Sequence, residues 1–169
     1  MDYQIDNRST QEVRVGVDDQ EVAAFRKVSF FIHNLQGRVE GSDYLLKLAA
    51  PWNGFRYQLC RGEQVVASAK RRSRMHAFEP DRPFVRHTLT EFELDLVSRR
   101  MTLTPEDRRG ISFRLDENGQ ARGRLAMRPF EVQRDGAWPA DLRAPDGWSV
   151  PLAAFVAWLA REGRSRMSK

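Results

Sequence analysis

The sequence predicts a mostly β, antiparallel barrel, closed or nearly closed, wrapped around a buried carboxy-terminal hydrophobic helix. Three observations carry that reading. Val150–Ala160 runs through eleven residues without one polar side chain, so a helix there has no solvated stripe and must be surrounded. Most of the chain before it consists of short alternating segments separated by turn dipeptides. In two of the hairpins these form, the register can be tested, because residues paired across antiparallel strands share a face.

Taken in order, residues 1–12 read as a flexible, polar amino terminus. Val13–Val17 is a short strand. Asp18 and Glu21 have capping-box spacing, and Val22, Phe25, Val28, Ile32 and Leu35 recur at helical intervals up to Gly37, which predicts a helix over 19–35. The β-branched and aromatic run Val28–Ile32 supports a strand instead, so residues 22–34 keep both readings open. Asp43–Ala50 is an apolar strand ended by Pro51, and Phe55–Arg61 and Gln64–Arg72 flank a Gly62-Glu63 hairpin turn.

In Glu91–Val97, Phe92, Leu94 and Leu96 alternate with Glu91, Glu93 and Asp95. A two-residue turn at Ser98-Arg99 sets Leu96 against Met101 and Leu94 against Leu103. Asn118-Gly119 is the strongest turn dipeptide in the chain. A strict two-residue loop there opposes Phe113 with Arg124 and mixes the faces. A three-residue loop, Glu117–Gly119, instead opposes Leu115 with Ala121, Phe113 with Gly123 and Ile111 with Leu125, and is the one predicted.

Pro129, Pro139, Pro145 and Pro151 punctuate the run into the helix. Ser149 suits its amino-terminal cap, Pro151 an early helical position, Arg161 the negative end of the dipole and Gly163 the stop. Eleven residues rise about 16 Å, roughly half of a bilayer's hydrocarbon core, so protein is the better host than lipid. The reading is a single barrel-like domain over 13–163 followed by a flexible basic tail, 164–169.

Composition suits that domain. The 169 residues are 41% hydrophobic and 30% charged, enough to bury one core. Met1–Thr10 is polar and unlike a signal peptide, no segment reaches membrane-spanning length, and the lone Cys60 has no internal disulfide partner. A small buried thiol in a reducing, cytoplasmic setting is expected. The net charge is +5, and of the 28 basic residues only Lys27, Lys47, Lys70 and Lys169 are lysines. The arginine excess is open to two readings: anion recognition by the planar guanidinium fork, or the coding bias of a GC-rich genome.

The hairpins, then Asp116-Glu-Asn-Gly-Gln-Ala-Arg-Gly123 leading into Arg124–Val132, then Ala140-Asp141-Leu142 and the closing Val150–Ala160 stretch follow one another in a distinctive order. In that order the chain resembles the tubby C-terminal-like superfamily, which includes the LURP-one-related proteins and phospholipid scramblases. The resemblance covers residues 40–162 as a sequence of elements and 111–160 in detail. It implies a barrel of about a dozen strands threaded by one helix. Phosphoinositide binding belongs to the tubby branch, whose basic binding residues have no match at positions here. The spanning segment and cysteine-rich stretch of the scramblase branch have none either.

Among candidate sites, the predicted register turns Arg114, Arg122, Arg124 and Arg128 outward together, with Arg114 facing Arg122. Like charges so placed need a counter-ion. A bound phosphate or acidic headgroup would serve, and so would acids from a neighbouring strand, for which Glu91, Glu93 and Asp95 are available. Lys70, Arg72 and Arg74 form a second group, about 7 Å apart on one face if the strand continues beyond Arg72, where the composition turns loop-like. Arg99-Arg100 and Arg108-Arg109 are possible additions to it.

Nucleic acid is the less favoured partner, since no known binding motif and no aromatics interleaved with the arginines are present. His33, His76 and His87 lack metal-ligand spacing, so no metal or cofactor is expected. Glu91, Glu93 and Asp95 read as a solvated sheet face. No nucleophile elbow or glycine-rich phosphate loop occurs, which leaves no catalytic constellation. Trp52, Trp138, Trp148 and Trp158 read as core and rim residues, with Trp158 inside the barrel beside Phe155. The leading expectation is a non-enzymatic binding module that recruits an anionic partner, lipid headgroup or acidic protein surface, through an arginine-rich sheet face. The alternatives are a calycin-like barrel carrying or modifying a small apolar ligand, and a purely structural or interaction protein.

Overall fold

The computed structural model describes residues 1–9, 11–29, 32–49, 55–76, 87–128 and 138–165. These form twelve strands and one helix. The strands are β1 (Asp2–Ser9), β2 (Glu12–Val17), β3 (Gln20–Ser29), β4 (Ile32–Val39), β5 (Ser42–Ala49) and β6 (Arg56–Arg61), then β7 (Gln64–His76), β8 (His87–Leu96), β9 (Arg99–Pro105), β10 (Ser112–Glu117), β11 (Gln120–Met127) and β12 (Trp138–Arg143). Helix α1 is Val150–Ser165. Each strand pairs antiparallel with its neighbours in sequence, and β1 pairs with β12 to close the barrel.

The helix stands inside. Ala153–Ala160 are all fully buried, and α1 touches β1, β2 and β3 on one wall and β6 and β8 on the opposite wall. Trp158 meets Tyr57 of β6 edge to face, with ring centroids 5.3 Å apart, and Tyr3 of β1 donates its hydroxyl to the Trp148 carbonyl at 2.7 Å. Each large apolar side chain so buried contributes about 2–3 kcal/mol. The helix thus takes the volume that a calycin-type ligand would need. Inward positions of the strands are apolar and outward ones are largely charged, the inverse of the apolar-out alternation of membrane-spanning barrels. No described helix is long and apolar enough to cross a membrane.

Five hairpins turn at the end where the chain enters α1, each through two residues: Asp18-Asp19, Glu40-Gly41, Gly62-Glu63, Val97-Ser98 and Asn118-Gly119. Asp18, Asp19, Glu40, Gly41, Asn118 and Gly119 all have positive φ, as the turn that matches strand twist requires at both central residues. Three of the five carry a bulge three residues past the turn, at Val22, Val66 and Arg122, where the register skips one residue. Parity explains which three. A two-residue turn pairs odd with even positions, which suits Leu94 with Met101 and Leu35 with Leu46. The inward residues Val15 and Ala23, Leu59 and Ala67, and Phe113 and Leu125 are all odd, so one residue must be inserted to bring each pair together.

Several expectations are corrected here. Residues 19–35 are not a helix: β3 and β4 form a hairpin, and Val22 and Val28 are exposed. The amino terminus is not loose, because β1 is a wall of the barrel held between β12 and β2, and the domain begins at Asp2 rather than at residue 13. The β8–β9 turn lies at Val97-Ser98, so Leu94 faces Met101 and Phe92 faces Leu103; the shift preserves parity and therefore every face. Between β10 and β11 the extra residue sits in the strand, at Arg122, and not in the loop. Strand β7 continues past Arg72 to His76. Gly163 does not end the helix, which runs on to Ser165. A β-carbon there would stand 3.1 Å from the Phe92 ring, so the missing side chain serves a close approach between helix and wall. Arg161 is buried inside the barrel and donates to the Glu12 carbonyl at 3.3 Å. Trp52, the side chains of Trp138, His76 and His87, and the tail beyond residue 165 lie outside what is described.

Candidate functional site: the charged outer face

The outward positions of β6–β12 form a continuous charged face, and the register dictates who meets whom. Arg114, Arg122, Arg124 and Arg128 all lie on it as predicted, but each meets an acid of the chain. Arg114 holds Asp116 at 2.8 Å, Arg124 holds Glu106 at 2.7 Å, Arg128 holds Asp141 at 3.0 Å, and Arg122 approaches Glu117 at 3.4 Å. Glu117 also accepts two bonds from Arg99, which hold its carboxyl below the usual range against the opposing effect of burial. The expected opposition of Arg114 and Arg122 is replaced by Arg114 with Arg124, because Arg122 is the bulged residue.

The acids Glu91, Glu93 and Asp95 do not serve that arginine group. They lie beside β7, where Glu93 takes Arg72 at 2.7 Å and Glu91 takes Arg74 at 3.1 Å. Lys70, Arg72 and Arg74 share the outward face, as their spacing predicted. Lys70 has no ion pair among the described residues.

Around Lys70 the surface forms an open groove of about 800 Å³. One row across its floor runs Arg56, Lys70, Glu93, Thr102, Asp116 on five successive strands, and Arg100 stands beside Asp95 in the next row. Arg56 and Lys70 are directly opposed like charges. Among the described residues neither they nor Arg100 makes an ion pair within 4.0 Å, and all three line the groove. With Glu93 engaged by Arg72, the groove carries three cations outside any ion pair among the described residues. Arg108 and Arg109 lie in the β9–β10 connection, outside the groove.

Arg56 and its opposition to Lys70 were missed by the sequence reading. The signal was present in the Gly62-Glu63 turn: inward Leu59 and Ala67 require one inserted residue, and that insertion sets Arg56 against Lys70. Among the described residues no group of three His, Cys, Asp or Glu could hold a metal ion. No family model matches the chain, and neither a curated protein nor a solved structure matches it.

Proposed function

We propose that this protein is a non-enzymatic binding module that recruits an anionic partner, a lipid headgroup or the acidic face of another protein, in the groove across β6–β10. The observation that carries this reading is the direct opposition of Arg56 and Lys70, with Arg100 nearby and none of the three in an ion pair among the described residues. Like charges held opposite one another raise the local potential, and an incoming oxyanion relieves it through charge-assisted hydrogen bonds. The order of strands and the central helix support, in addition, a kinship with the tubby-like barrels. The buried thiol of Cys60 suits a reducing compartment such as the cytoplasm.

The test is co-sedimentation with phosphatidylcholine vesicles, with and without phosphatidylserine, alongside titration with a polyglutamate peptide. At about 1 kcal/mol for each basic residue near an anionic surface, the triple variant Arg56→Gln, Lys70→Gln, Arg100→Gln should bind about a hundredfold more weakly. Arg122→Gln, outside the groove, should bind as the wild type does. Equal binding by the triple variant, or wild-type protein that ignores both probes at low salt, overturns the reading.

A further inference from the structure

A second charged surface lies on another part of the wall. The pairing of β10 with β11, β11 with β12 and β12 with β1 places Arg114, Arg124, Arg143 and Asp2 in one outward row. The register of β1 on β2, with Gln4 opposite Gly16, carries the row on to the level of Asp18 in the next turn. Three arginines are thus followed by two aspartates, each about 4.8 Å from the last. The centre of this row lines a depression of about 590 Å³ that includes Arg124, Arg143, Asp2, Asp18 and Asp141.

Three of the charges at the centre are unmatched among the described residues. Arg143 and Asp2 are cross-strand partners, yet neither makes an ion pair there, nor does Asp18. Arg124 reaches Glu106 and Ser112 through Nε alone. Among the described residues no bond from the outer edge of its guanidinium, the one suited to a bidentate carboxylate, accompanies these. A dense polyanion would be brought against Asp2, Asp18 and Asp141, and a polycation against the arginines. The surface that satisfies both halves is one with the same pattern reversed.

A second copy of this chain supplies that pattern. A patch with a cationic half and an acidic half becomes self-complementary under a two-fold axis set between the halves. We infer that two copies associate through this face, Arg143 and Arg124 of each approaching Asp2 and Asp18 of the other. The contact is small beside the roughly 1,200–2,000 Å² of a stable interface, so the dimer is weak and salt-sensitive. It is independent of the β6–β10 groove, and the triple variant of the groove leaves it unchanged.

Sedimentation velocity over a concentration series tests it. The wild type should dimerise at low salt, with an affinity that falls about tenfold as ionic strength rises to roughly 0.5 M, where the Debye length shrinks to a few ångströms. The variant Arg124→Glu, Arg143→Glu and the variant Asp2→Lys, Asp18→Asn should each be monomeric. Mixed in equal amounts they should form a heterodimer, because the centre of one patch is then acidic and that of the other is relieved of Asp2 and Asp18. Circular dichroism of wild-type shape and a cooperative melt in both variants establish that they fold, the Arg124→Glu variant melting lower because it loses the Glu106 pair. A wild type that stays monomeric at every concentration, a dimer indifferent to both variants, or a mixture that fails to associate overturns the inference.

Discussion

Phe25 of β3 lies flat across Gly37 of β4, so closely that a β-carbon on Gly37 would stand 2.8 Å from the ring and 2.7 Å from the Ala24 carbonyl. Phe25 is fully buried, and the ring occupies the space a side chain on the neighbouring strand would need. Gly37→Ala should therefore destabilise the barrel by about 2 kcal/mol, the usual cost of overpacking a core that has to shift. Urea unfolding measures this, and a variant as stable as the wild type would show that the wall yields at no cost.

Trp158 is the largest side chain buried in the helix, against Tyr57 and Phe155. Trp158→Ala should cost about 3–5 kcal/mol through the cavity it opens. Its indole N–H is buried with no hydrogen-bond partner among the described residues, so Trp158→Phe gives up no polar contact there and should cost about 1.5 kcal/mol or less. Thermal unfolding of the pair separates a packing role from a polar one: equal losses in both variants would refute the packing account.

Arg122 is exposed, and its ion pair with Glu117 is a long one on the surface. Arg122→Ala should change stability by no more than about 0.5 kcal/mol. Deleting Arg122 takes out the inserted residue itself, so Asp116 stays opposite Ala121, Leu115 opposite Gly123 and Phe113 opposite Leu125, and every paired side chain of β11 keeps its face. The deletion should therefore fold, at an ordinary cost of about 0.5–3 kcal/mol. Urea unfolding measures both variants, and a deletion that abolishes folding would show that the bulge itself, and not the pairing alone, is required.

Glu106 and Glu12 link stability to acid. Burial raises the pKa of Glu106, but the Ser112 hydroxyl and Arg124 outweigh it and hold the carboxyl below its ordinary 4.5. Glu12 behaves likewise, with Arg26 and Arg14 overcoming burial. A carboxyl whose folded pKa is depressed binds protons less readily than in the unfolded chain. Its contribution is present above the unfolded value and lost as pH falls through the folded one. Arg124→Gln should therefore cost up to about 1 kcal/mol near pH 7, an exposed arginine being screened by solvent, and the gap to wild type should narrow as pH falls below the ordinary 4.5 and through the depressed folded value. Guanidinium unfolding across that range checks both. A gap that stays constant with pH would place the effect outside the Glu106 carboxyl.

The misreading of residues 19–35 shows how two strands can imitate a helix. Inward Ala23, Phe25, Leu35, Gly37 and Val39 obey a period of two, but outward Val22 and Val28 are apolar as well. Their union with Phe25 and Leu35 recurs at intervals of three and four. Nothing local distinguishes an apolar residue on the outer wall from one on a helical stripe. The bulges were nearly legible: the mismatch of faces at Asn118-Gly119 was recognised, and only its remedy, an insertion in the strand instead of the loop, was assigned differently.

What the chain determined by itself is the barrel with a helix for its core. All-round apolarity over Val150–Ala160 and parity along the strands are one-dimensional properties, readable without knowing any distant partner. The tertiary structure alone decided that β1 closes the wall against β12, and which guanidinium meets which carboxylate. Those outcomes join residues such as Asp2 and Arg143, far apart along the chain. Charge–charge contacts carry no periodicity of their own, so only the accumulated register of twelve strands could separate Arg56, Lys70 and Arg100 from the arginines already matched.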